Sequence, residues 1–310
     1  MQISGGVQLS GGINLVPGGS PSPSPSGFQG SNFGYRTGGE NTYAVNTIDK
    51  FSFTSDGNAT DVGDLVYAVA IHSGQSSSTS GYTTTGSTPT NPVNSIQKFP
   101  FTSDTNATDV ADAIAIGFAN VGASSSDHGY ASGGRPNDSV IQKFTFSSDN
   151  NATSVGSLNA GRENAAGQSS LTHGYTSGGR GPSPTLNSIE KWSFVSDGNG
   201  TDVGDLTAAR VPGAGQNSDT HGYTSGGNTY MDRIDKFSFA SDGNATDVGD
   251  LTGDIFHAGG CSSTTSGYRA GGYYGGAQTS IEKFAFATDG NASSVGNLTT
   301  PTTYTACQQY

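Results

Sequence analysis

The sequence predicts an all-β fold, a six-bladed β-propeller whose four-stranded antiparallel blades close into a ring. Three observations predict it. The stretch Ile234 to Leu251, Ile-Asp-Lys-Phe-Ser-Phe-Ala-Ser-Asp-Gly-Asn-Ala-Thr-Asp-Val-Gly-Asp-Leu, recurs at Ile48 to Leu65 with one difference, Thr54 for Ala240, and looser copies begin at Ile96, Ile141, Ile189 and Ile281. Each copy follows a Gly-Tyr pair, and the six tyrosines (Tyr35, Tyr82, Tyr130, Tyr175, Tyr223, Tyr268) lie 47, 48, 45, 48 and 45 residues apart. That is the period of one supersecondary unit used six times. No stretch carries helical apolar periodicity, whereas aromatic and β-branched residues alternate with Gly-rich turn clusters, as strands and hairpins require.

In chain order, residues 1–16 form an apolar, β-prone arm in which Ile3, Val7, Leu9, Ile13 and Leu15 stand among small and polar residues. Residues 17–30 are a linker of Pro, Ser and Gly, stiffened by the Ser-Pro run from Ser20 to Ser26. An apolar arm on a stiff spacer is the layout of a peptide that adds a strand to a partner's sheet. The repeats fill 31–310.

The unit is clearest from Leu206 to Leu251. A first strand lies in Gly213 to Ser218, and a second, His-Gly-Tyr-Thr-Ser-Gly-Gly, ends in a double glycine. Ile-Asp-Lys-Phe-Ser-Phe is the third, and Thr-Asp-Val-Gly-Asp-Leu the fourth. Asp-Gly at 56, 197, 242 and 289 reads as the hairpin turn between third and fourth strands, with Asp and Asn side chains capping it. Apolar residues on both faces of the third strand, Ile48 with Phe51 and Phe53 and their equivalents, imply a sheet covered on both sides by neighbouring copies. The chain begins with a second strand (Asn32 to Gly39) and ends on a segment that aligns with first strands, so the C-terminus is expected to complete the first blade. Closure of that kind removes exposed sheet edges.

Gly is 48 of 310 residues and only 31% of the chain is hydrophobic. That suits many small sheets better than one large core. A net charge of −12 excludes nucleic acid as a partner class, and all six lysines fall in one repeat column, as scaffold residues do. Cys261 and Cys307 fall in adjacent columns of neighbouring first strands and read as buried small residues, with a disulfide the alternative. No segment has the length and hydropathy of a membrane span, and the N-terminus lacks the pattern of a signal peptide.

The double glycine ending strand two, the aromatic strand three, the Leu that ends strand four and the Arg before a Gly-rich first strand resemble a kelch-type repeat. Gly178-Gly179, Trp192, Leu206 and Arg210 match it best. The pattern is broken where Thr85-Gly86 replaces the double glycine and where Val69, Gly117, Ile255 and Thr302 stand at the Arg position. The wording Phe-Ser-Phe-x-Ser-Asp-Gly-Asn-Ala-Thr-Asp-Val-Gly-Asp-Leu, after an Ile-Ser-Gly-Gly start, is also similar to repeat proteins encoded by tailed bacteriophages of aquatic bacteria. That resemblance implies a virion component, assembled in the host cytoplasm, and the arm is then its contact with other virion proteins.

Candidate chemistry is sparse. The Asp-x-Asn-x-Thr turn lacks the closing Glu of a calcium loop, and Val195, Ala240 and Ala287 break the Asp-box of sialidase propellers. His128, His173 and His221 recur before Gly-Tyr and read as hydrogen-bonding groups at a strand end rather than metal ligands, being a blade's width apart. Gln75, Gln168, Gln216 and Gln308 are expected to line a central channel. Irregularity concentrates in the spacers between the double glycine and Ile, which hold Tyr43, Arg135, Arg180, Tyr230, Tyr273 and Tyr274. Aromatic and Arg side chains on variable loops over a rigid scaffold mark a binding face.

The expected function is therefore non-enzymatic: a phage appendage, fibre or capsid decoration, anchored by its arm, with its propeller turned outward to a host-surface glycan or receptor. No catalytic residue, metal or cofactor is expected, and several arms engaging together, through a homo-oligomer or neighbouring sites, would supply avidity. The alternatives are a sialidase-type glycan-cleaving enzyme, marked by acidic and Arg clusters at one channel mouth, and a cytosolic kelch adaptor.

Overall fold

The structure, a computed structural model, describes residues 30–136, 139–182, 184–228 and 231–310; the arm residues Ile3, Val7, Leu9, Ile13 and Leu15 lie outside them, as does Tyr230. Six four-stranded antiparallel sheets form the ring. In blades two to six the strands run in sequence order from an inner to a second, third and outer strand, as in Ala214–Asn217, His221–Gly227, Met231–Ser238 and Thr246–Asp250.

Blade one is built from both ends of the chain. The C-terminal strand Ala306–Gln309 is its inner strand, pairing Tyr35 with Gln308 and Thr37 with Ala306. The amides of Asn32 and Phe33 donate to the Tyr310 carbonyl at 2.7 and 2.9 Å, and the Tyr310 amide returns one to Phe33 at 2.8 Å.

Most of the repeat columns serve the joints between blades. The tyrosine of each second strand packs against two aromatic rings of the next third strand: Tyr35 lies 5.5 and 4.9 Å from Phe99 and Phe101, and Tyr82 lies 5.5 and 4.8 Å from Phe144 and Phe146. The last of the series, Tyr268, lies 5.9 and 4.6 Å from Phe51 and Phe53 of blade one. Such pairs add about 0.5–1.5 kcal/mol each beyond the area they bury. The residue before each tyrosine is glycine because its own blade's ring covers that face. A Cβ on Gly34 would stand 2.5 Å from the Phe51 ring.

The lysine column forms a second belt. Lys50, Lys98, Lys143, Lys191 and Lys236 bond Asp104, Asp149, Asp197, Asp242 and Asp289 of the next blade at 2.6–3.2 Å. Lys283 closes the circle on Asp56 at 2.5 Å. The turn asparagines act across the same joint: Asn106, Asn244 and Asn291 accept from the amides of Asp64, Asp205 and Asp250 at 3.0–3.1 Å. This corrects the expectation that Asp and Asn cap their own hairpins. That task falls to Ser52, Ser193 and Ser238, whose hydroxyls accept from the turn amides two and three residues on.

The glutamines are corrected too. Gln75, Gln168, Gln216 and Gln308 are no more than 2% exposed, and their Nε2 atoms donate at 2.9–3.0 Å to the carbonyls of Tyr130, Tyr223, Tyr268 and Tyr82 in the next blade. On a strand, alternate side chains point to opposite faces, and this column faces a neighbouring sheet rather than the axis. A column not anticipated from sequence closes a ring at one end of the channel. The amides of Ser76, Ser124, Ser169, Asn217, Ser262 and Gln309 each donate to the side-chain oxygen of the next member, and the last returns to Ser76.

Buried charge explains the gaps in the Arg column. The residue after the third-strand Ile is acidic in blades one, four, five and six, and each carboxylate meets one fully buried guanidinium. For Glu190 and Asp235 the partners are Arg162 and Arg210, from before the inner strand. For Asp49 and Glu282 they are Arg36 and Arg269, from the second strand. Blades two and three carry Gln97 and Gln142 there instead, and no arginine stands at either supplying position. Charge is thus balanced blade by blade, as burial demands.

Candidate functional site

Two kinds of loop meet on one face of the ring. The variable connections from second to third strand are tied by short bridges to the connections from outer strand to next inner strand: Glu40 to Thr303, Phe118 to Arg135, Glu163 to Arg180 and Phe256 to Tyr273. The opposite face carries hairpins that repeat closely. There Ser77, Ser125, Ser170, Ser218 and Ser263 each accept the amide three residues on at 2.9–3.1 Å.

At the centre of the variable face lies a mouth of about 70 Å³, lined by two residues from every blade: Ile71 and His72, Ala119 and Asn120, Asn164 and Ala165, Pro212 and Gly213, His257 and Ala258, Tyr304 and Thr305. The first of each pair forms a backbone ring about the axis. Ile71 donates to Tyr304, Ala119 to Ile71, Asn164 to Ala119, His257 to Pro212 and Tyr304 to His257, at 2.7–3.5 Å. The five donors have left-handed φ values of 50–64°. Pro212 can neither take that conformation nor donate, so the ring is open between blades four and five. A β-branched residue such as Ile71 is a true outlier there, and such strain gathers at functional sites.

Two imidazoles face the mouth. His72 is 6% exposed; its Nε2 donates to the Thr37 carbonyl at 3.0 Å and its Nδ1 has no bonding partner. His257 stacks on Tyr304 with ring centroids 4.0 Å apart and also leaves Nδ1 without a partner. Burial pushes both imidazoles down to about 4, so they are neutral acceptors at neutral pH. The Tyr304 hydroxyl is pushed up, first by burial and then by Glu40, with Arg180 opposing.

The predicted site residues divide. Arg135 and Arg180 come together on Glu163. Arg135 forms a two-pronged pair with it, and Arg180 stands 3.7 Å away, both with side chains more than half exposed. Tyr273 joins an aromatic run, 5.4 Å from Phe256, which is 4.7 Å from His257. Tyr43 and Tyr274 are exposed at loop tips, 74% and 56%. His128, His173 and His221 sit on the regular face, where His173 and His221 bond the preceding threonine hydroxyls at 2.8 Å, as groups at a strand end do. No cluster of three or more metal-ligating side chains is assembled among the described residues.

Sequence reasoning missed Glu163, His72, Phe256, His257 and Tyr304. A usable signal was present. The column just before the inner strand reads Ile, Ala, Asn, Pro, His, Tyr, the least repetitive position beside some of the most repetitive ones. No known protein family matches the chain, and no curated protein is similar to it.

Proposed function

We propose that the chain is a non-enzymatic binding protein, a kelch-type propeller that serves as a displayed component of a phage virion, with its variable face turned to a host-surface glycan. The observation that carries this reading is polarity. Gly30, the first described residue, bonds Ser262 at 2.9 Å and bridges Ser263, on the regular face. The exposed arginines and tyrosines occupy the other. An arm leaving the regular face would present the variable face outward. Exposed aromatic rings and guanidinium groups beside neutral imidazole acceptors suit sugar rings and hydroxyls.

The Arg135–Glu163–Arg180 cluster near the mouth favours a second reading, a sialidase-type glycan-cleaving enzyme. Against it, both guanidinium groups already engage the one carboxylate, and burial disfavours a Tyr304 phenolate nucleophile.

One experiment separates the readings. Purified protein is passed over immobilised host-surface glycans and assayed for retention and for released sugar. Retention without release, weakened at least tenfold by Arg180→Ala or Tyr273→Ala with melting unchanged, is expected. Sugar release lost in Glu163→Gln would establish the enzyme, and no retention would sink the glycan reading. In parallel, deletion of 1–16 or Gln8→Pro is expected to leave the propeller folded but to impair its incorporation into particles, because the docking arm loses pairing groups.

A further inference from the structure

The joints between inner strands follow one pattern, with one exception. The second residue of the inner strand is glycine in five blades, because a Cβ there would press on the preceding inner strand's backbone. The third is Gln in four blades and Ala123 in another, pointing toward the next blade. Between blade six and blade one, three positions depart together. Cys307 takes the glycine column, Cys261 takes the glutamine column, and Gly259 stands where the other blades carry Ser73, Val121, Ala166, Ala214 and Ala306.

These departures fit each other. A Cβ on Gly259 would overlap the Cys307 sulfur, so the missing side chain makes room for the thiol. Cys307 points back to blade six and Cys261 forward to blade one, which sets the two thiols in one joint. Both belong to one apolar cluster and both line the channel end of about 60 Å³, the side from which a reagent would approach them. One side of this joint is the strand that closes the ring. The C-terminal strand is held in blade one without a short covalent hairpin, its partner strand lying at the other end of the chain.

We propose that Cys261 and Cys307 are a thiol pair that oxidises to a disulfide, locking the C-terminal strand into the ring. The oxidant is a low-molecular-weight disulfide. The Cys307 thiolate attacks one of its sulfurs and expels the first thiolate. The Cys261 thiolate then attacks the Cys307 sulfur of the mixed disulfide and expels the second. Two protein thiols lose two electrons and two protons, and the oxidant becomes two thiols. Burial raises the Cys261 thiol well above its ordinary range, with Cys307 adding to the effect, so formation is slow at neutral pH and faster in alkali.

The test treats the full chain with oxidised glutathione at alkaline pH, then counts thiols after denaturation and maps peptides without reduction. Expected are loss of both thiols per chain, a peptide linking Cys261 to Cys307, no intermolecular product, and a melting temperature raised by several degrees that reductant reverses. Cys307→Gly and Cys261→Gln, the residues other blades carry, should fold and melt like the reduced protein and show no rise. Two thiols still titrating after oxidation, glutathione adducts that never resolve, intermolecular dimers, or an equal rise in Cys307→Gly would each overturn the proposal.

Discussion

Lys283 of the last blade donates to Asp56 of the first across 2.5 Å, though 227 residues separate them. Five other Lys–Asp pairs repeat this contact between successive blades. Each pair is partly exposed and contributes little, about 0.2–1 kcal/mol. Their value lies in the geometry they share with the Tyr–Phe and Gln–carbonyl contacts. All three point the same way around the ring, so each blade holds its successor by the same atoms, except that blades three and six carry Ala123 and Cys261 in place of the glutamine.

Closure follows from that arrangement. Deleting residues 302–310 removes an inner strand, the Gln308 contact to Tyr82 and the Gln309 link in the amide ring. Stability should fall by several kcal/mol, the cost of losing the innermost strand of a blade with its packing on both neighbours. Denaturant titration of the truncated protein checks this, and an unchanged midpoint would refute closure by the C-terminus.

The buried ion pairs should behave as units. Asp235→Asn leaves the Arg210 guanidinium, fully buried, without its carboxylate. A loss of about 3–5 kcal/mol is expected. Arg210→Val with Asp235→Gln reproduces the uncharged pairing of blade two, Val69 with Gln97, and should recover most of that loss. A double-mutant cycle by urea unfolding reads the coupling. Additive losses would mean the two residues act independently.

Acid should weaken the fold through the mouth histidines. His72 falls from 6.5 to about 4 on burial, with Arg36 adding to the shift. Since its folded pKa is the lower one, the unfolded chain takes up the proton first. Stability is then full above about 6.5 and is lost as pH falls to about 4. The full effect is about 3 kcal/mol for His72, by 1.36 kcal/mol per unit. His72→Asn, which copies Asn120 of blade three, should flatten this slope in unfolding curves taken from pH 7.5 to 4. An identical slope would assign the effect elsewhere.

The sequence by itself determined the number of blades, their strand order and the closing role of the C-terminus. Those depend on local pattern: the Ile-x-Lys-Phe-x-Phe strand, the Asp-Gly turn and the spacing of Gly-Tyr each report one strand or turn, and repetition averages out their ambiguity. What the repeated side chains touch was decided by the tertiary structure. Gln168 lies in a strand whose neighbours in sequence say only that it is on one face. That this face meets Tyr223 of the next blade, not the channel, depends on how the sheets stack. Arg36 lies in a second strand and Arg162 in the connection before an inner strand, in unrelated columns, yet their guanidinium groups serve equivalent carboxylates, because a long side chain can reach one buried point from either place. The mouth was hidden for the same reason. Ile71, His257 and Tyr304 are far apart in the chain and share no residue type, and only closure of the ring brings their backbones into one circle of hydrogen bonds.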